Sequence, residues 1–330
     1  MKKEFLKSNV SNGIARRSFM KIGGLSFLSM MTINGAKKIF AADNQWNEPG
    51  SITYDKNIPW YWSDKGFPVH KTVNASRLSE DIISARVDKI WKQFKIIELD
   101  QTFRDFESSS MADVYDKLLQ TGQLSFGGAY CPGIVSYGGI PRGDSQFNLN
   151  AACKFMFPCP KEDQIQGIIE GLKERGSDPK ERRTWFRDQF LNQDIWNYSR
   201  FVGRDETVVP PGVEKADTTY RETHTFRNLM ENPLAVLLFV SNRDVQSFEI
   251  RTIAHYVNSA DEAANSYERQ IADFINTYAN VSHGQNNNFT AIIFYAVEEF
   301  NNSMEGGKEG VRVKNLFAKL FGKNRRRVVG

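Results

Sequence analysis

Three cysteines, Cys131, Cys153 and Cys159, are the residues of this 330-residue chain whose chemistry is most distinctive. A thiol can pair as a disulfide, attack an electrophile as thiolate, or ligate a metal. The chain has no Cys-x-x-Cys, no Cys-x-x-Cys-His and no closely spaced cysteine run, which excludes covalent haem and protein-held iron–sulfur clusters. In an oxidising compartment three cysteines imply one disulfide and one spare thiol. Three pairings are open. Cys153 with Cys159 would close a tight loop with Pro158 and Pro160 around the second cysteine, while either bridge to Cys131 closes a longer one. The spare thiol could hold a molybdenum cofactor. No base lies near any of the three in sequence to activate it as a nucleophile.

Other reactive groups are sparse. His70, His224, His255 and His283 are isolated, and none shows the paired spacing of a zinc site. Between Thr218 and Arg227 the alternation places Tyr220, Glu222, His224 and Phe226 on one face of an expected strand. With His255 from another strand these form the most economical acid–base cluster, against the plainer reading of a half-exposed sheet histidine. There is no Gly-x-Ser-x-Gly elbow and no Ser-x-x-Lys pair. Phe126-Gly127-Gly128-Ala129 and Tyr137-Gly138-Gly139-Ile140-Pro141-Arg142-Gly143 match neither the dinucleotide fingerprint nor the Walker pattern. Most such loops are turns. Gly138-Gly139 beside Arg142 could nonetheless seat an anion. The catalytic candidates are therefore Cys131, Arg142, Glu222 and His224, with any site expected in the 126–160 loops.

The elements that would position these groups follow from periodicity. Residues 43–75 mix turn formers with Trp46, Trp60, Tyr61 and Trp62, which reads as an extended aromatic arm packed on the body rather than a ligand platform. Leu78, Ile82, Ile83, Val87, Ile90, Trp91, Phe94 and Ile97 recur at three- and four-residue steps and predict a helix. A second helix is expected from Ser110 to Gly122, then irregular chain over 123–160, then helices over 161–175 and 179–200. Leu234–Val240, Phe248–Val257 and Asn288–Phe300 read as strands, and Ser259-Ala260-Asp261-Glu262 caps a helix running through Tyr278. The expected class is α+β: a helix-rich N-terminal lobe over 76–203, then a smaller α/β lobe over 204–303 with a mostly antiparallel sheet.

The two ends carry the charge. Residues 1–42 hold eight Lys or Arg against Glu4, and residues 308–330 hold eight against Glu309, each a net of +7. With the whole chain at +4, the body between them is near −10, which argues against nucleic-acid binding across the main surface. In the last segment, 304–330, Leu316, Phe317, Leu320 and Phe321 make an apolar stripe opposite lysines, followed by Arg325-Arg326-Arg327. Such a basic amphipathic helix suits an anionic membrane surface or an acidic partner groove, and equally a terminal helix lying on its own acidic body.

Near the start, Ala15-Arg16-Arg17-Ser18-Phe19-Met20-Lys21 precedes an apolar stretch, Ile22 to Ile33, diluted by glycine and serine. This segment resembles the bacterial twin-arginine export signal, with Arg16, Arg17, Phe19 and Lys21 on the motif, Ala15 in place of Ser or Thr, and Met20 in place of Leu. The apolar core is shorter than the ~20 residues that span a bilayer. Cleavage near Ala41-Ala42 and uncleaved retention as an anchor both stay open, since the small-x-small pattern there is poor. The resemblance implies export to the periplasm in the folded state by the twin-arginine translocase, often with a cofactor or partner acquired first. No cofactor can be named from the residues. The expected function is a non-catalytic periplasmic subunit or assembly factor of an envelope complex, docking a protein partner and with membrane association open. The alternative is a cofactor-dependent periplasmic oxidoreductase with its site in the 126–160 region.

Overall fold

The computed structural model describes residues 61, 63, 67–123, 128–138, 146–176, 178–205, 223–241, 246–283, 288–303 and 311–312. All of them lie in the compact unit spanning Asp55–Gly330. The export motif, most of the aromatic arm and the basic tail from 313 fall outside the described residues.

The fold is α+β and sheet-dominated. A small sheet joins β1 (Val73–Asn74), β2 (Ile82–Val87) and β3 (Ile90–Lys95). The main sheet contains β4 (Gly133–Tyr137), β5 (Leu149–Cys153), β6 (Phe157–Pro160), β7 (Trp196–Asp205), β8 (Leu234–Val240), β9 (Ser247–Val257), β10 (Thr290–Asn301) and β11 (Val311–Arg312). Its order is β5-β4-β8-β9-β10-β7-β6, with β11 paired to β10, and every described pairing is antiparallel. The helices are α1 (Gln101–Thr121), α2 (Ile165–Glu174), α3 (Pro179–Leu191), α4 (His224–Glu231) and α5 (Ser266–His283). Strands from 133–205 and from 234–301 share one sheet, so the helix-rich N-terminal lobe expected from the sequence gives way to a common sheet with helices packed on it.

Three local expectations are corrected. The predicted helix over 76–97 is a hairpin, β2–β3, turned by Asp88 and Lys89 at φ 53° and 66°. Ile83, Ala85 and Val87 are buried while the residues between them are not, so the operative period is two, and β-branched side chains pack well on a pleat. Two consecutive positive φ values mark a type I′ turn, which an Asp-Lys pair signals far less clearly than Asn-Gly. The predicted helix 179–200 ends at Leu191, and Trp196 opens β7 with its ring stacked on Phe190 at 4.8 Å. The expected strand 218–227 is a helix from His224, because the Thr223 hydroxyl accepts a hydrogen bond from the Phe226 N–H and caps it.

Other expectations hold closely. β8 and β9 fall on the predicted strands, and α1 begins earlier than Ser110, at an Asp100 cap whose carboxylate accepts from the Thr102 N–H. Two aromatic groups anchor the core. Phe103 of α1 meets Phe201, Phe239 and Phe248 of the sheet at 5.9, 5.0 and 5.3 Å. Phe157 packs on Phe190, Phe186 and Tyr278, tying β6 to α3 and α5.

Candidate functional site

The β4–β5 register decides which cysteines meet. Gly133 stands opposite Cys153, and the Met156 N–H bonds to the Tyr130 carbonyl, so the antiparallel pairing continues past the end of β4. Cys131 is then a diagonal neighbour of Cys153 on the same face, within reach for side-chain contact. The nearness of the two thiols acts on them asymmetrically. Cys131, buried, is pushed far up by the neighbouring Cys153 thiol and by burial; Cys153, exposed, is brought down to about 7 by the neighbouring Cys131. Cys159 lies on β6, fully buried, and burial pushes its thiol up. All three are unbridged. Of the three pairings open in the sequence, the structure brings together Cys131 and Cys153.

Cys153 also lines a cavity of about 360 Å³ at the sheet's edge, with Asn150, Ala152, Lys154, Thr223, His224 and Thr225. The first turn of α4 forms one wall, held by the Asn150 amide donating to the Thr225 hydroxyl at 2.6 Å. Below it, Lys154 pairs with the fully buried Asp205 at 3.1 Å, and Asp205 accepts from the Tyr256 hydroxyl at 3.2 Å. Of the sequence candidates, His224 lines this cavity and Cys131 neighbours Cys153, while His224 itself lies outside the 126–160 loops where a site was expected. Arg142 and Glu222 lie outside the described residues, as do the docking candidates Leu316, Phe317, Leu320, Phe321 and Arg325 to Arg327.

A second polar cluster lies under α5. His255 Nδ1 is 2.8 Å from Glu268 Oε1, and the Tyr295 hydroxyl donates to the same oxygen at 2.5 Å. Burial alone would raise the Glu268 carboxyl, but His255, Tyr295 and Arg200 together bring it below the usual range. The Arg200 guanidinium sits 5.2 Å from both the Tyr267 and Tyr295 ring centres. The ring of His70 lies 5.6 Å from that of His255. His70 accepts from the Tyr256 N–H at Nδ1 and donates to the Leu229 carbonyl from Nε2, which fixes one neutral tautomer. Burial, then the neighbouring His255, push it down to about 3. Sequence reading linked His255 to His224 and missed Glu268, Tyr295 and His70. His255 and Glu268 are 13 residues apart on different elements, and no local pattern announces that pair. Among the described residues, no group of three His, Cys, Asp or Glu side chains is arranged to hold a metal ion.

A third group, Glu107, has no cationic partner among the described residues. The Tyr198 hydroxyl lies against its carboxyl, yet neither carboxylate oxygen nor the hydroxyl completes a well-formed hydrogen bond. Burial pushes Glu107 up to about 8.

No protein-family model matches this chain, and no curated protein does. Among solved structures, HupZ of Group A Streptococcus aligns at 10% identity over 59% of this chain and 94% of that one, with a TM-score of 0.28. A Clostridium acetobutylicum protein related to general stress protein 26 of B. subtilis, described as of the pyridoxinephosphate oxidase family, aligns at 10% over 62% and 92%, with a TM-score of 0.27. A pyridoxamine 5'-phosphate oxidase-related, FMN binding protein of Nostoc punctiforme aligns at 7% over 60% and 83%, with a TM-score of 0.28. Scores this low carry no argument about the fold or chemistry of this chain.

Proposed function

We propose that this protein is exported folded to the periplasm and acts there as a non-catalytic subunit or assembly factor of an envelope complex. The observation that supports this most is an apolar face at the β5 end of the main sheet. The register places Leu149, Val135, Val236, Leu238 and Val240 on one side. Leu149, Leu238 and Val240 are 62, 40 and 42% exposed, and Phe147 just before β5 is 74% exposed. Helix α4 packs on the opposite side, where the Asn228 amide donates to the Ser136 carbonyl. Contiguous exposed apolar side chains of this size mark protein contacts more often than free surface. The twin-arginine resemblance supplies the compartment, and among the described residues no helix is long and apolar enough to cross a membrane.

The test combines fractionation with native electrophoresis. The chain is expected in the periplasmic fraction and within an assembly heavier than itself. Replacing Arg16 and Arg17 together by Lys should retain it in the cytoplasm. The pair Leu149→Glu and Leu238→Glu should return it to its own mass while its circular dichroism is unchanged. Free monomeric protein in the wild type would refute the reading.

One observation favours the second reading, an oxidoreductase with its site in the 126–160 region: the thiol pair falls within that segment, which also supplies Asn150, Ala152, Cys153 and Lys154 to the cavity lining. That reading requires a stoichiometric cofactor in natively exported protein, which absorbance and metal analysis would reveal.

A further inference from the structure

We propose that Cys131 and Cys153 form a thiol–disulfide exchange site, with Cys153 the attacking sulfur and Cys131 the resolving one, acting on accessible disulfides. Two features of the geometry point there, and the acidities agree with them. The cross-strand register brings these two cysteines to one face and leaves Cys159 buried on β6. They differ in access, since Cys153 is exposed on the edge strand of the sheet and Cys131 is buried behind it. In keeping with that geometry, burial and the neighbouring thiol favour thiol on Cys131 and thiolate on Cys153. A thiolate with acidity near ambient pH is the best attacking group for exchange.

The geometry also favours a bridge that opens again. Diagonal neighbours across antiparallel strands start at ~7–8 Å between Cα atoms, whereas an unstrained disulfide takes ~4.4–6.8 Å. The bridge therefore closes with local adjustment of the chain, and strained bridges are the readily reduced ones.

The step balances as written. The Cys153 thiolate attacks one sulfur of R–S–S–R′; the Cys153–S–S–R bond forms as the substrate bond breaks, and R′S⁻ leaves. R′S⁻ takes the Cys131 proton. The Cys131 sulfur then attacks Cys153, RS⁻ leaves and is protonated by solvent. Two protein thiols become one disulfide, and one substrate disulfide becomes two thiols. Run backwards, the oxidised pair delivers a disulfide to a dithiol.

The purified protein is reduced and challenged with oxidised glutathione in one arm and a disulfide-linked peptide dimer in the other, then alkylated and mapped by mass spectrometry. Iodoacetamide should modify Cys153 before Cys131 and Cys159, with the rate half-maximal near pH 7. Either disulfide should convert the wild type to a Cys131–Cys153 bridge that excess reduced glutathione reopens. Reaction in one arm alone identifies the substrate as small or polypeptide. Cys131→Ser should stall as a mixed disulfide on Cys153, Cys153→Ser should form neither species, and Cys159→Ala should behave as wild type. Should a serine variant fail to fold, the labelling order and the mapped bridge in the wild type decide alone. The proposal is overturned by a bridge to Cys159, by labelling of Cys153 no faster than of Cys131, or by a Cys131–Cys153 bridge that resists reduction.

Discussion

His70 should make this protein acid-sensitive by an amount its surroundings set. Both ring nitrogens are committed in the neutral form: Nδ1 accepts from the Tyr256 N–H at 3.1 Å and Nε2 donates to the Leu229 carbonyl at 2.9 Å. A proton added at Nδ1 would face that N–H head on and leave a buried charge beside the His255 ring. Folding therefore depresses the value from 6.5 to about 3. Between those limits the unfolded chain binds the proton and the native one does not. Stability from this group is thus full above about pH 6.5 and falls as the pH drops toward 3. At pH 5 the loss spans about 1.5 pH units at about 1.4 kcal/mol each, or about 2 kcal/mol. His70→Gln keeps one donor and one acceptor in a similar space and cannot titrate. Urea unfolding at pH 7 and pH 5, followed by tryptophan fluorescence, should show the wild type losing about 2 kcal/mol more than the variant across the interval. Groups remote from His70 are common to both proteins and cancel to first order. Equal losses in the two proteins would refute the reasoning about His70.

Glu107 should do the opposite. Its folded value is raised from 4.5 to about 8, so the native state holds a proton that the unfolded chain releases, and the stability present below pH 4.5 is lost as the pH rises to about 8. Glu107→Gln should stabilise by up to about 3 kcal/mol at pH 7 and by nothing near pH 4; an advantage that does not grow with pH counts against the buried neutral acid. Lys154→Met removes the ion pair to the buried Asp205 and should cost about 3 kcal/mol in chemical denaturation; an unchanged midpoint would show that the pair contributes no net stability. At Gly171 of α2, an added Cβ would lie 2.4 Å from a ring carbon of Trp185, so Gly171→Ala should lower stability by about 1–3 kcal/mol although alanine favours helices. A stabilised G171A protein would show that Trp185 moves aside freely.

What could be read along the chain was whatever a single segment decides alone. β8 and β9 were legible because Leu234–Val240 and Phe248–Val257 are dense in β-branched and aromatic residues between turn formers, and such runs have few alternatives. The hairpin over 82–95 was misread because isoleucine and valine satisfy both periods at once: Ile83, Val87, Ile90 and Phe94 fit three- and four-residue steps as well as alternation. Tertiary pairing selected the second. His224 failed differently. Thr223 is an ordinary strand residue until its hydroxyl finds the Phe226 N–H, and that single bond converts the alternating run into a helix start.

The chemistry was harder to see than the elements, for a reason the cysteines make concrete. Cys153 and Cys159 are six residues apart and look like the natural pair, while 22 residues separate Cys131 from Cys153. In an antiparallel ladder, proximity depends on the sum of two residue numbers and hardly at all on their difference. Gly133 opposite Cys153 fixes that sum, and every contact of the thiol pair follows from it. A one-residue slip would send Cys153 to the other face, away from Cys131. The same logic governs His255 and Glu268, which meet because a sheet and a helix are packed face to face. Reading a site of this kind therefore requires the register first. Once it is known, the asymmetry between an exposed, acidic thiol and a buried, protonated one follows from burial and the nearness of the two sulfurs.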